Sequence, residues 1–284
     1  MVLESLINPA KLEKTPRNMI FVGFLYCCVA VLLSHWIFKT YASMIMVFLT
    51  AIACIPLMYH TIKWEEEKDL QDFTERMLLK EHFRALSGFM YLFIGFVLAF
   101  TFIYVFVPSD FLSVLFDSQT STIQAINGRM TGMTVASSMG LFGKIFLNNV
   151  KVLVFCLLFS FLYGAGGIFI LTWNASVIGA AIGNFIRTNL TLVSDTFGFE
   201  HLGSYFQIFS IGLFKYSIHG IPEILAYFAA GLAGGIISVA VIKHDFGNRK
   251  FEHVLLDSAD LIILSIVLLL IAAVLEVFVT PAIF

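Results

Sequence analysis

The chain has 284 residues, 59% of them hydrophobic and only 13% charged, with a formal net charge of -2. A soluble domain averages about 45–50% apolar and about 25% charged residues, so a water-facing surface cannot be built from this composition. The near-neutral balance supplies no attraction to nucleic acid, and Cys27, Cys28, Cys54 and Cys156 each sit in an apolar run, which excludes a disulfide scaffold. What remains is an all-α fold: a polytopic transmembrane helical bundle in a lipid bilayer, with about seven membrane segments of roughly 20 residues each.

The first apolar run is 19–38, preceded by Lys11, Lys14 and Arg17. It is too long for a signal-peptide core and reads as a retained anchor with its N-terminus inside. A tight turn at 39–41 returns the chain through 42–59. Residues 1–60 therefore form a two-helix membrane hairpin.

Residues 61–84 mix basic and acidic side chains, with Lys68, Asp72 and Arg76 at helical i,i+4 spacing. Leu70, Phe73 and Met77 give one apolar stripe. The segment is expected to be a cytoplasmic charged amphipathic helix, either a solvated connector or a docking surface for a cytoplasmic protein partner. The third span, 85–107, leads outward into a long stretch over 108–147 that reads as interfacial. Residues 150–186 are mostly apolar but broken at Gly164–Gly167 and at Trp173-Asn174, giving a Gly-rich hairpin. It is either two short crossings or a re-entrant pair, with Asn174 at its cytoplasmic tip. The last spans are 221–242 and 259–279.

Charge bias sets the orientation. Lys11, Lys14, Arg17, Lys63, Lys68, Arg76, Lys80, Arg84, Lys243, Arg249 and Lys250 fall on one side. Lys39, Arg129, Lys144, Lys151, Arg187 and Lys215 make up the other side. The richer side is cytoplasmic by the positive-inside rule. The protein is thus expected in the plasma membrane with its N-terminus inside and C-terminus outside.

A charge at the bilayer centre costs about 2.5–3.5 kcal/mol, so carboxylates within spans are informative. Glu223 follows Pro222 at the expected start of one span, where a helix N-terminus favours negative charge. Glu276 lies near the outer end of the last. Antiparallel spans bring both to one outer-leaflet depth, together with Asn148, Asn149, Lys151, Asn184, Arg187 and His219. This intramembrane polar cluster is the candidate site, with Arg187 or Lys151 available to neutralise a glutamate. Gly179/Gly183 and Gly231/Gly235 are G-x-x-x-G pairs that imply close helix packing, within the bundle or across a homodimer. Zinc, nucleophile-elbow and phosphate-loop motifs are not found. No catalytic residue, metal site or cofactor is expected, and the chain reads as non-enzymatic.

The order Asn148-Asn149-Val150-Lys151-Val152, the Gly-rich hairpin, Asn174, His219-Gly220-Ile221-Pro222-Glu223, and Ala272-Ala273-Val274-Leu275-Glu276 before Thr280-Pro281 resembles the stage II sporulation protein M family over roughly 85–284. Residues 1–84 lie outside the resemblance. It implies a multi-pass cytoplasmic-membrane protein without catalytic activity, which in spore formers is a scaffold for cell-wall-remodelling partners. Two functions are expected to compete: a membrane scaffold or assembly factor, or an ion or small-solute channel or transporter using Glu223 and Glu276. The position of both glutamates near helix ends favours the scaffold.

Overall fold

The computed structural model describes residues 15–69, 75–131, 138–164, 166–192, 199–243 and 249–283. Among them the secondary structure is helical throughout, with no strand. The helices are α1 (Asn18–Phe38), α2 (Ala42–Asp69), α3 (Glu75–Phe106), α4 (Ser109–Leu115), α5 (Asp117–Thr131), α6 (Ser138–Tyr163), α7 (Gly167–Leu192), α8 (Phe199–Lys243), α9 (Arg249–Val274) and α10 (Thr280–Ile283). A 3-10 turn, Lys39–Tyr41, joins α1 to α2, and a π-helical segment, Leu275–Val279, joins α9 to α10.

Among the described residues six stretches are long and apolar enough to cross a membrane, the first being Asn18–Lys68. That stretch contains both α1 and α2, and it folds back on itself: Cys27 of α1 lies against Thr50 and Cys54 of α2. The all-α polytopic bundle expected from composition is therefore what the chain forms.

Three expectations change. The stretch 150–187 is neither short nor re-entrant. It belongs to two full helices of 26 residues each, about 39 Å long at 1.5 Å per residue. The helical pattern runs outward through the polar residues of 138–149 and 187–192, which the hydropathy of 150–186 alone leaves out. The reversal falls at Gly164, whose φ of +68° is a left-handed conformation that glycine adopts without steric cost. Asn174 is consequently not at a tip. It lies inside α7, donating its Nδ2 to the Ile170 carbonyl at 2.8 Å.

The charged stretch 61–84 is not one helix. Residues 61–69 end α2 and 75–84 begin α3, while Leu70, Asp72 and Phe73 lie outside the described residues. The span expected at 221–242 also begins much earlier. α8 is continuous over 45 residues with Pro222 in its interior.

The centre of the bundle is α8. Its membrane window is 83% buried, against 22% for α6 and 28% for the last stretch, Phe251–Ile283. Small residues make that possible, because lipid gives no hydrophobic drive and helices associate by close van der Waals approach. Ala226, Ala229, Ala230 and Ala233 are all fully buried. A Cβ built on Gly234 would overlap the Leu157 carbonyl oxygen, and one on Gly235 would stand 2.7 Å from Ile62 Cδ1. A Cβ on Gly179 would lie 2.6 Å from Phe100 Cβ, and one on Gly183 2.6 Å from Tyr104 Cβ. Both glycine pairs are thus occupied by helix contacts within the chain.

Candidate functional site

Two polar groupings stand out from this apolar packing. The first forms where α8 and α9 are both interrupted. In α8, Pro222 has no N–H to give the Ile218 carbonyl. In the facing helix, the α-helical ladder gives way to the π segment Leu275–Val279, which carries Glu276. Thr280 Oγ1 donates to the Leu275 carbonyl at 3.0 Å and lies 3.3 Å from His219 Nδ1, tying the two interruptions together. Tyr227 donates its hydroxyl to Glu223 Oε1 at 2.8 Å, and Glu276 is near enough for the two carboxylates to repel. A Cβ placed on Gly220 would meet no atom within 4 Å, so open space adjoins the site.

This places Glu223 differently from the sequence expectation. It does not meet a helix N-terminus, because α8 starts at Phe199. Within the membrane stretch Ser210–Lys243, Glu223 lies about 20 Å from the first end and about 30 Å from the second, at 1.5 Å per residue. It is interior to a continuous helix, about one hydrocarbon thickness from Lys243.

The other expected residues divide. Asn149 is buried on α6, whereas Asn148, Lys151 and Asn184 are exposed. Among the described residues neither cation neutralises a glutamate. Arg187 donates to the carbonyls of Tyr104 (3.1 Å) and Val107 (2.8 Å) and to Ser109 Oγ (3.0 Å). It caps the C-terminal end of α3, where carbonyls lack helical partners and positive charge is favoured. The site therefore keeps His219, Glu223 and Glu276, adds Tyr227 and Thr280, and lacks a cation of its own among the described residues.

The second grouping, at the opposite end of the bundle, was not expected. Glu65 and Glu66 on α2 are fully buried. Glu65 accepts from Lys68 Nζ at 2.8 Å and pairs with His82 Nδ1 of α3 at 2.8 Å. Lys68 also reaches Glu81 Oε2 at 3.5 Å. Glu66 is bound by Lys243 Nζ at 2.7 Å, and Glu67 stands 3.6 Å from the same nitrogen. Three helices (α2, α3 and α8) are thereby fastened through charge. A sequence signal existed: the buried residues Met58 and Ile62 continue at helical spacing into Glu65 and Glu66, so these glutamates prolong the core face of α2. Met77, Lys80 and Phe83 are exposed along one face of α3, with exposed Arg84 donating to Glu81 of the network.

The family model described as stage II sporulation protein M matches residues 89–281. No curated protein and no solved structure matches the chain. The family match spans well over half of the sequence, and the chain belongs to the stage II sporulation protein M family.

Proposed function

As a membrane protein of this family, the chain acts, we propose, as a non-enzymatic scaffold or assembly factor that recruits partner proteins at its charged end. The observation that supports this reading is the fastened junction of α2, α3 and α8. Removing one partner of a buried ion pair costs about 3–5 kcal/mol, so such a network holds a single geometry. A merely solvated connector has no need of one. The network presents Met77, Lys80, Phe83 and Arg84 as a fixed mixed apolar and basic surface of the kind proteins dock on. In this reading the charged end is cytoplasmic, the N-terminus lies inside, the C-terminus lies outside, and the host membrane is the plasma membrane. Affinity purification from native membranes tests it. The combined variant Met77→Ala, Lys80→Glu and Phe83→Ala should lose partners that the wild type retains, with thermal stability unchanged. An identical set of partners on both would refute the docking role.

One observation favours transport as a second reading. Glu223 lies inside its helix, beside a proline interruption and a π segment, and intramembrane carboxylates and π-bulges both concentrate at functional sites. Proton or cation flux into liposomes that is present in the wild type and lost in Glu223→Gln and Glu276→Gln would support it. Absence of flux in the wild type would end it.

A further inference from the structure

Lys39 stands where the first hairpin turns. The apolar run before it, 19–38, and the run after it, 42–59, carry no Asp, Glu, Lys or Arg. α1 is 21 residues long, about 31 Å at 1.5 Å per residue, which matches a hydrocarbon core of about 30 Å. The turn Lys39–Tyr41 therefore lies at a membrane–water interface. Trp36 and Tyr41, on either side of Lys39, are 76% and 71% exposed, as expected of aromatic rings at that level.

A groove of about 320 Å³ opens at this turn, lined by Lys39, Thr40, Ser113, Val114 and Asp117. Lys39 and Thr40 come from the turn, Ser113 and Val114 from α4, and Asp117 from the start of α5. Contacts outside the groove hold its walls. Ser43 Oγ of α2 and Ser118 Oγ of α5 are 2.8 Å apart, and Gln119 donates Nε2 to the Ser43 carbonyl and to Ser176 Oγ, each at 3.1 Å. The His35 ring meets Phe111 edge-on at 5.0 Å, which ties the end of α1 to α4. A pocket set in this way spares a ligand the cost of ordering it. The two charges in the groove do not satisfy each other: among the described residues neither Lys39 nor Asp117 makes an ion pair. Ser113 Oγ donates to the Asp110 carbonyl at 2.9 Å and so keeps its oxygen as an acceptor beside Asp117. A purely anionic ligand would be repelled by Asp117, and a purely cationic one by Lys39. A group carrying both signs suits both.

We propose that this groove binds the headgroup of phosphatidylethanolamine, with the phosphate on Lys39 Nζ and the Thr40 hydroxyl, and the ammonium on the Asp117 carboxylate and Ser113 Oγ. The volume is at the low end of the about 300–1,000 Å³ of small-molecule pockets. That is enough for a headgroup, and the acyl chains stay in the bilayer beside the exposed Trp36 and Ile37. A choline ammonium has no N–H to give Asp117 and Ser113, and a glycerol headgroup has no positive charge, so phosphatidylcholine and phosphatidylglycerol each leave the acidic wall without its hydrogen bonds. The site is independent of whether the protein serves as scaffold or transporter.

Native mass spectrometry of the full chain in detergent, titrated with dioctanoyl phosphatidylethanolamine, tests it. The first lipid should bind about tenfold tighter than phosphatidylcholine or phosphatidylglycerol of the same chain length, the scale of one charge-assisted hydrogen bond. Asp117→Asn should abolish that preference while phosphatidylglycerol still binds, and Lys39→Ala should weaken all three lipids. The four polar side chains that line the groove are exposed, so both variants should keep the wild-type unfolding midpoint without lipid. Equal affinity of the wild type for the three lipids overturns the proposal, whatever the variants do. So does an ethanolamine preference that survives Asp117→Asn in a folded chain. Soluble phosphoethanolamine should bind far more weakly than the lipid, and binding as tight as the lipid's overturns the assignment to a membrane component.

Discussion

Arg187 shows how much a single side chain's role depends on facts that linear order does not carry. It is close in sequence to Asn184 and lies at the expected depth for the glutamates. The helical phase of α7 instead turns it onto the end of α3, where it satisfies two backbone carbonyls and Ser109. Hydrogen bonds from a charged donor are worth about 1.5–3 kcal/mol in total effect when broken. Arg187→Ala should lower stability by about that amount, with Arg187→Lys recovering part of it, because an ammonium lacks the planar fork. Thermal unfolding in detergent measures both, and an unchanged midpoint in the alanine variant would contradict the capping role. The helix start expected at Glu223 is absent for a related reason. Proline is so common at a helix start that Pro222 reads as one, and only the continuous α8 shows it inside a helix.

At the level of helices, contact surfaces are set by where side chains are missing. The G-x-x-x-G spacing of Gly179 and Gly183 was legible, and both positions lie against α3. Gly23 and Gly95 were not, because neither forms a spaced pair. Yet a Cβ on Gly23 would overlap the Leu92 carbonyl, and one on Gly95 the Ile20 carbonyl. Overpacking of a close contact costs about 1–3 kcal/mol, so Gly179→Ala and Gly95→Ala should each destabilise by that order. Gly220→Ala, which meets open space, should be neutral or stabilise by up to about 1 kcal/mol from helix propensity. Equal loss at all three positions, read by the same unfolding assay, would contradict this account of packing. The junction of α2 and α3 makes a parallel claim. Glu65→Ala leaves the buried His82 and Lys68 facing a lost carboxylate and should cost about 3–5 kcal/mol. Exposed Lys80→Ala should cost nothing measurable.

For the molecule as a whole, fold class, membrane residence and family were legible, because composition and hydropathy report on solvent and the motif order reports on ancestry. The elements that position function were not. Hydropathy windows end where polarity rises, so the polar turns of α6 and α7 far from Gly164 and the first half of α8 are cut away, and the Gly-rich hairpin looks too short. The glutamates then appeared to sit at a helix end, which was the argument favouring a scaffold over a transporter. Glu223 instead lies within the continuous α8, beside Pro222 and with no helix start next to it. The scaffold reading now rests on the charged junction, where Glu65 and Glu66 looked like solvated acids because burial of charge is not visible in composition.

The most direct test of the docking surface is quantitative recovery of native complexes. The same membranes should be purified through the wild-type chain and through Met77→Ala, Lys80→Glu, Phe83→Ala, alongside a control altered at the exposed face of α9 (Ile263→Ala, Ile266→Ala). The account predicts that partners fall away with the platform variant alone, while both variants keep wild-type unfolding midpoints. Retention of the same partners in the same amounts by a folded platform variant would contradict it.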